Sequence, residues 1–304
     1  MKRRALLKNS LAAAMSLALP RIQAAESGFK LNYLLGSAMY GDLPLEVVIE
    51  ETVKTGSTCL DAWPKMHGTQ REQMDEMGHD KVMALLSKHQ VKLAATTRYD
   101  LGPFKLGDEL DVVKKFGGNV IVTGGAGPVG LTGDDLKKAV REFVEKLKPH
   151  LVKAGELGIT IAIENHINNL IDAPDSLRWL AEFGKDLPMS IELAPYHLPQ
   201  DTALIASLIK EIGPKLSVFC AWEHGMGCMK AMPKDEELQQ MPGRGKLDFT
   251  PILKALKEIN YQGYTEIFMH PTPRGIPILP TAVEVTAEIN RSRDYLEKCL
   301  ASLS

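Results

Sequence analysis

Residues 159–168 read Ile-Thr-Ile-Ala-Ile-Glu-Asn-His-Ile-Asn. Ile159, Ile161, Ala162 and Ile163 are apolar, then Glu164, Asn165 and His166 follow at once. The run reads as a strand buried on both faces. A carboxylate at the end of such a strand is costly unless something pairs with it. Glu164 therefore raises two questions: what sheet the strand belongs to, and what meets the carboxylate.

Seven further apolar runs match the first. The eight strand candidates are Leu31–Leu35, Thr58–Ala62, Lys92–Thr96, Asn119–Thr123, Thr160–Glu164, Met189–Leu193, Leu216–Ala221 and Tyr264–Met269. Between them lie stretches with apolar residues three and four apart, the helical period. One, at 44–56, opens with Pro44 and closes at Gly56, the asymmetry expected of a helix. Others fit residues 81–90, 174–184, 201–213, 250–260 and 281–300. A helix from Thr132 has two acids in its first turn, and Pro149 is expected to kink or end it. Eight alternations without a linker-like gap predict an α/β fold, a single (β/α)8 TIM barrel over residues 26–304. A doubly wound open sheet is the alternative. The Gly-rich stretch 117–130 lacks the lysine of a phosphate loop and the spacing of a dinucleotide fingerprint. No nucleotide cofactor is expected; the glycines mark a strand-to-loop turn near the barrel mouth.

The first residues have a different grammar. Lys2, Arg3 and Arg4 precede an apolar run from Leu11 to Leu19, then Pro20 and the small pair Ala24-Ala25. This is the plan of an export signal, and Arg3-Arg4-Ala5-Leu6-Leu7-Lys8 resembles the twin-arginine type. Residues 1–25 are read as a leader to the bacterial periplasm. The run is too short to insert stably in a membrane. A formal net charge of -2 argues against nucleic acid as a partner. Four cysteines are too few for a disulfide scaffold in a chain of 304 residues. Cys59 and Cys220, inside strand candidates, are expected as buried thiols.

In a barrel the working residues sit at the C-terminal ends of strands. There the sequence places Asp61, Trp63 and His67, then Arg98, then Glu164, Asn165 and His166. Glu192 and His197 follow in the sixth unit, Trp222 and His224 in the seventh, and Glu266, His270 and Arg274 in the eighth. Five of the eight histidines follow strands in this way. Single residues of this kind have bland explanations: a strand-end histidine is often structural, and tryptophans pack more often than they stack on ligands. The convergence of acids and imidazoles on one rim raises the functional reading. Such a donor set suits Mn, Co or Zn, and aromatics beside Asn and Arg suit a carbohydrate. The longest connection, 224–248, leaves the seventh strand at that same face, and long loops in compact domains are usually functional.

The Glu164-Asn165-His166 segment, Pro195-Tyr196-His197 and the closing run 247–267 together resemble the xylose isomerase-like TIM barrels, the sugar phosphate isomerase and epimerase relatives. The resemblance spans the mature chain and is strongest from Gly158 onward. It implies a divalent metal held by a Glu ending strand five, an Asp three residues before a His after strand six, a His in strand seven and a Glu in strand eight. It implies proton movement between adjacent carbons of a sugar. Glu164 matches the first ligand and His197 the strand-six His. The Asp position holds Ala194, the strand-seven position falls near Cys220 or His224, and the strand-eight position holds Phe268. Because strand side chains repeat with period two, Glu192 and Ala194 share a face, as do Glu266, Phe268 and His270.

The first expectation is an exported isomerase or epimerase that works by metal-assisted proton transfer next to a carbonyl. Glu164, His224 and His270 are then candidate ligands, and Glu164, His166, His197, Glu192 and Glu266 candidate catalytic groups. Trp63, His67, Arg98, Asn165, Trp222 and Arg274 are candidate substrate contacts. The second is a metal-independent lyase or hydrolase of oxidised keto-glycosides. The third is a non-catalytic sugar-binding barrel. Self-association into a homo-oligomer stays open.

Overall fold

The sheet closes on itself. In a computed structural model of the chain, which describes residues 28–225 and 230–303, eight parallel strands pair in sequence order and β8 returns to β1. They are β1 (Asn32–Gly36), β2 (Cys59–Ala62), β3 (Lys92–Thr97), β4 (Val120–Gly124), β5 (Thr160–Glu164), β6 (Met189–Leu193), β7 (Leu216–Ala221) and β8 (Tyr264–Ile267). Each falls within a residue or two of its expected range. The export leader expected at 1–25 lies outside the described residues, and Leu31–Ser304 forms one compact unit.

Among the described residues ten α-helices surround the strands: α1 (Leu45–Lys54), α2 (Gln70–Met77), α3 (His79–His89), α4 (Gly107–Phe116), α5 (Gly133–Leu157), α6 (Pro174–Phe183), α7 (Thr202–Ile212), α8 (Lys234–Glu237), α9 (Phe249–Glu258) and α10 (Ala282–Ala301). Asp201 caps α7 by accepting from the Ala203 and Leu204 amides, and Thr281 with Glu284 forms a capping box on α10. Three helices lie outside the expected helical stretches: the single turn α8, inside the long connection 224–248, and α2 and α4. The apolar faces of α2 and α4 are thin: Met74 is the one apolar residue α2 buries, and Leu110 and Val113 are the pair α4 buries. Pro149 does not end α5, which continues to Leu157. The proline is exposed. A stripe of Leu136, Val140, Phe143, Val144, Leu147, Leu151 and Ala154 is buried on both sides of it and carries the helix through. Thr132 is the N-cap residue, but its side chain makes no capping bond. Among the described residues no helix is long and apolar enough to cross a membrane.

The inward-facing side chains repeat with period two and change character up the barrel. At the bottom Leu34, Val122, Ala162 and Val218 belong to one hydrophobic cluster. Two residues further along come Gly36, Asp61, Glu164, Glu192, Cys220 and Glu266. Two further again come Trp63, Tyr99, His166, Ala194, Trp222 and Phe268. The barrel thus has an apolar floor, an acidic layer and an aromatic layer.

Candidate active site

A cavity of about 290 Å³ opens at the C-terminal ends of the strands. Its walls are two aromatic stacks. Trp63 lies on Phe268, ring centroids 5.0 Å apart, and Tyr196 lies almost flat on Trp222 at 3.8 Å. Two imidazole pairs complete the rim: His67 with His270 at 4.5 Å, and His166 with His197 at 4.1 Å. Glu164, Glu192 and Cys220 reach the cavity from below, and Arg274 and Tyr99 line its side. Such a mixture of flat apolar surface and a few polar groups suits a small polyhydroxylated molecule.

The loop after β7 holds part of this wall in place. Gln240 accepts from the Trp222 indole at 2.9 Å and donates to the His270 carbonyl at 2.8 Å. Glu223, buried, receives the amides of Gly243, Gly245 and Leu247. A Cβ at Gly245 would lie 2.2 Å from that carboxylate, so the loop wraps the acid only with glycine there.

Glu164 answers the opening question. Its carboxyl lies 3.7 Å from His197 Nε2, too long for a direct hydrogen bond. Burial raises Glu164 to about 8 and lowers His197 to about 2. At neutral pH the two face each other as an acid and a neutral imidazole rather than as an ion pair. Neither ring nitrogen of His197 has a partner. Burial, with the charge of Arg274, also lowers His166, His67 (to about 4) and His270. His166 donates through Nδ1 to the Ile167 carbonyl at 2.7 Å, which leaves Nε2 as an acceptor.

Beneath the aromatic layer the acids crowd together. Burial lifts Asp61 to about 7 and holds Glu192 and Glu266 well above the carboxylate range; Glu164, Glu266 and Asp61 raise Glu192 further, and Asp61 and Glu164 raise Glu266. Thr97 donates to Asp61 at 2.6 Å, but Asp61 Oδ1, Glu192 Oε2 and Glu266 Oε1 have no partner.

Several expected site residues are placed elsewhere. Arg98 turns away from the cavity and holds Asp100 with two bonds and Glu109, on α4, with a third. Asn165 is fully buried; its amide donates to the Ala194 carbonyl at 3.0 Å and accepts from the Ala194 N–H at 2.8 Å. It clamps the end of β6, and so His197, rather than reaching a substrate. Glu266 sits under the cavity instead of lining it. His224 occupies a turn with φ of 84°, its amide bonded to Gln200, and does not line the cavity. Glu164, His224 and His270 are therefore not gathered as a ligand set. Among the described residues the group that could hold a metal is Glu192, Cys220 and Glu266, whose ligand atoms lie within 4.8 Å of one another. The resemblance's ligand set does not fit, since Ala194 and Phe268 offer no donor atom. Tyr99, Tyr196 and Phe268 line the cavity without having been singled out as contacts; their period-two spacing from the strand ends was the available signal.

Over residues 49–299 the sequence matches the xylose isomerase-like TIM barrel family. The chain belongs to that family. Solved structures similar to it share its fold at low identity. D-psicose 3-epimerase from Clostridium cellulolyticum H10, solved with D-tagatose, is 18% identical over 89% of this chain and 99% of its own, with a TM-score of 0.66. The 3-keto-D-glucoside 4-epimerase YcjR from E. coli is 14% identical over 89% of this chain and 100% of its own, at 0.64. The IOLI protein, solved with a zinc atom, is 14% identical over 88% and 99%, at 0.66. No curated protein matches the sequence.

Proposed function

We propose that this family member is a carbohydrate isomerase or epimerase that moves a proton on a carbon next to a carbonyl. The observation that carries the reading is the Glu164–His197 pair at 3.7 Å, buried at the base of an aromatic-walled cavity. A sugar ring stacks between the two aromatic pairs, with its carbonyl toward Arg274 and the imidazoles. The ionised fraction of Glu164, which grows as pH rises toward 8, takes the proton from the adjacent carbon. The electron pair moves into the carbonyl, and the enediolate oxygen is held by Arg274 and the His197 N–H. Return of the proton to a neighbouring atom or the opposite face gives the isomer. The two groups have ordinary values pulled in opposite directions by burial, the pattern expected of acid–base partners.

The family's metal would polarise the same carbonyl, but Ala194 and Phe268 stand at two of its ligand positions, so no step is routed through it. The acids and imidazoles that meet here argue against a mere sugar-binding barrel. The leader read at 1–25 supports an address outside the cytoplasm, which cell fractionation tests.

A second reading shares the first step. An adjoining pocket of about 200 Å³, lined by Pro64, Lys65, Met66, Thr97 and Asp100, leaves room for a second ring. In a keto-glycoside the same carbanion would expel that ring as a leaving group. Incubation with free keto-sugars and keto-glycosides, followed by NMR of the products, separates the two. An epimer or isomer supports the first reading and a released aglycone the second. No turnover, and no slowing in Glu164→Gln, would overturn both.

A further inference from the structure

We propose that Glu192, Cys220 and Glu266 form a binding site for one thiophilic divalent cation, of the zinc or cobalt kind, one pleat deeper in the barrel than the sugar cavity. The three residues come from β6, β7 and β8, with Cys220 and Glu266 directly paired across the sheet. Their ligand atoms lie within 4.8 Å of one another, close enough for one ion at the usual metal–oxygen and metal–sulfur distances of roughly 2.0–2.3 Å.

Three features besides the cluster point to a cation. Glu192 Oε2 and Glu266 Oε1 have no hydrogen-bond partner, although both residues are nearly inaccessible. Asp61, fully buried on the opposite side, keeps Oδ1 unpartnered, and its charge is felt by Glu192, Cys220 and Glu266. Gly36 leaves the space that Glu266 uses: a Cβ there would lie 2.1 Å from Oε1 and 3.2 Å from Phe268.

The layer above explains the depth. Two residues beyond Glu192, Cys220 and Glu266 on the same faces stand Ala194, Trp222 and Phe268. The upper level is aromatic surface for a sugar, and the donors have moved one step down. Glu192 and Cys220 still border the cavity, so a cation has a path in. A carboxylate–thiolate set favours zinc or cobalt over magnesium or calcium. Binding displaces the Cys220 thiol proton, and any proton held by the Glu192 and Glu266 carboxyls, to solvent and leaves a thiolate and two carboxylates on the metal. The inference goes beyond the proton-transfer reading and stands or falls without it, because uptake is measured with no sugar present.

The test uses chelator-stripped full-length protein titrated with cobalt(II), read by elemental analysis and by absorption. About one ion per chain, with a near-ultraviolet thiolate-to-cobalt charge-transfer band, supports the site. Cys220→Ser should lose the band and weaken uptake at least tenfold, while Cys228→Ser keeps both. No uptake by the wild type, or a band that survives in Cys220→Ser, overturns the proposal. If Cys220→Ser does not fold, Glu266→Gln decides: uptake at least tenfold weaker supports the site, and unchanged uptake overturns it.

Discussion

Two buried ionic clusters lie a few strands apart and are built on opposite plans. In the first, Glu109 on α4 is 2% exposed and receives Arg71 on α2 through Nε and a second nitrogen, while Arg98 adds another bond. Every charge there has a partner supplied by the chain. In the second, Asp61, Glu164, Glu192 and Glu266 gather around Cys220, and the groups nearest them are more acids and neutral imidazoles. Burial costs both clusters the hydration of their charges. The first is compensated by its own guanidinium groups and fixes helices to the barrel. In the second, burial favours the neutral acids and several oxygens stay unpartnered, and the cluster borders the cavity. The comparison separates a structural ion cluster from a chemical one by whether the chain itself supplies the opposite charge.

The largest expected effect breaks the first cluster. Glu109→Gln leaves Arg71 and Arg98 buried against a neutral partner and should cost about 3–5 kcal/mol in urea unfolding. The matching change in the second cluster, Glu266→Gln, should cost under about 1 kcal/mol in chelator-treated protein, because it replaces an acid whose neutral form burial already favours. Equal losses in the two variants would abolish the distinction.

A smaller effect tests the link between scaffold and chemistry. Asn165→Ala strips both hydrogen bonds from the buried Ala194 backbone and should cost about 1–3 kcal/mol. Activity should fall through kcat, since the change shifts His197 without touching a substrate. A rise in KM alone would return Asn165 to the role of substrate contact.

That case shows what the sequence could and could not carry. Parallel strands buried on both faces read as continuous apolar runs, so all eight were visible, and with them the closed barrel. The rim histidines 67, 166, 197 and 270 line the cavity because strand ends deliver them there. Arg98 was misread because its partner Glu109 sits on α4, a helix whose two buried apolar residues left no periodic signal. His224 was misread because a left-handed turn carries it past the rim. The ligand set was expected at the family's level. Period-two spacing put Glu192 and Glu266 on the right faces, but only the register across β7 and β8 set Cys220 beside Glu266.

The histidines sharpen the comparison through pH. A histidine held below 6.5 in the folded chain takes its proton more readily when unfolded, so stability is full above 6.5 and falls as pH drops below it. His67, lowered to about 4 chiefly by burial, should alone account for about 2 kcal/mol of loss between pH 7.5 and 5. Urea midpoints at the two values measure it, and His67→Gln should flatten the slope. An unchanged slope would mean that His67 takes up its proton alike in the folded and the unfolded chain.

A more modest effect lies in the wall. Trp222→Phe removes the indole bond to Gln240 and should cost about 1 kcal/mol of stability. Its flat contact with Tyr196 should largely survive, so KM for a sugar should change by no more than a few fold. A loss of saturation would place the indole N–H on the substrate.

The most direct test follows hydrogen itself. The protein is incubated in deuterium oxide with a keto-sugar that it binds, and incorporation at the carbon beside the carbonyl is read by NMR. The account predicts exchange with the wild type and a reduction of about 10²–10⁴-fold in Glu164→Gln, the range of a lost acid–base group. Exchange at the wild-type rate in Glu164→Gln would contradict the central role given to the carboxylate at the end of β5.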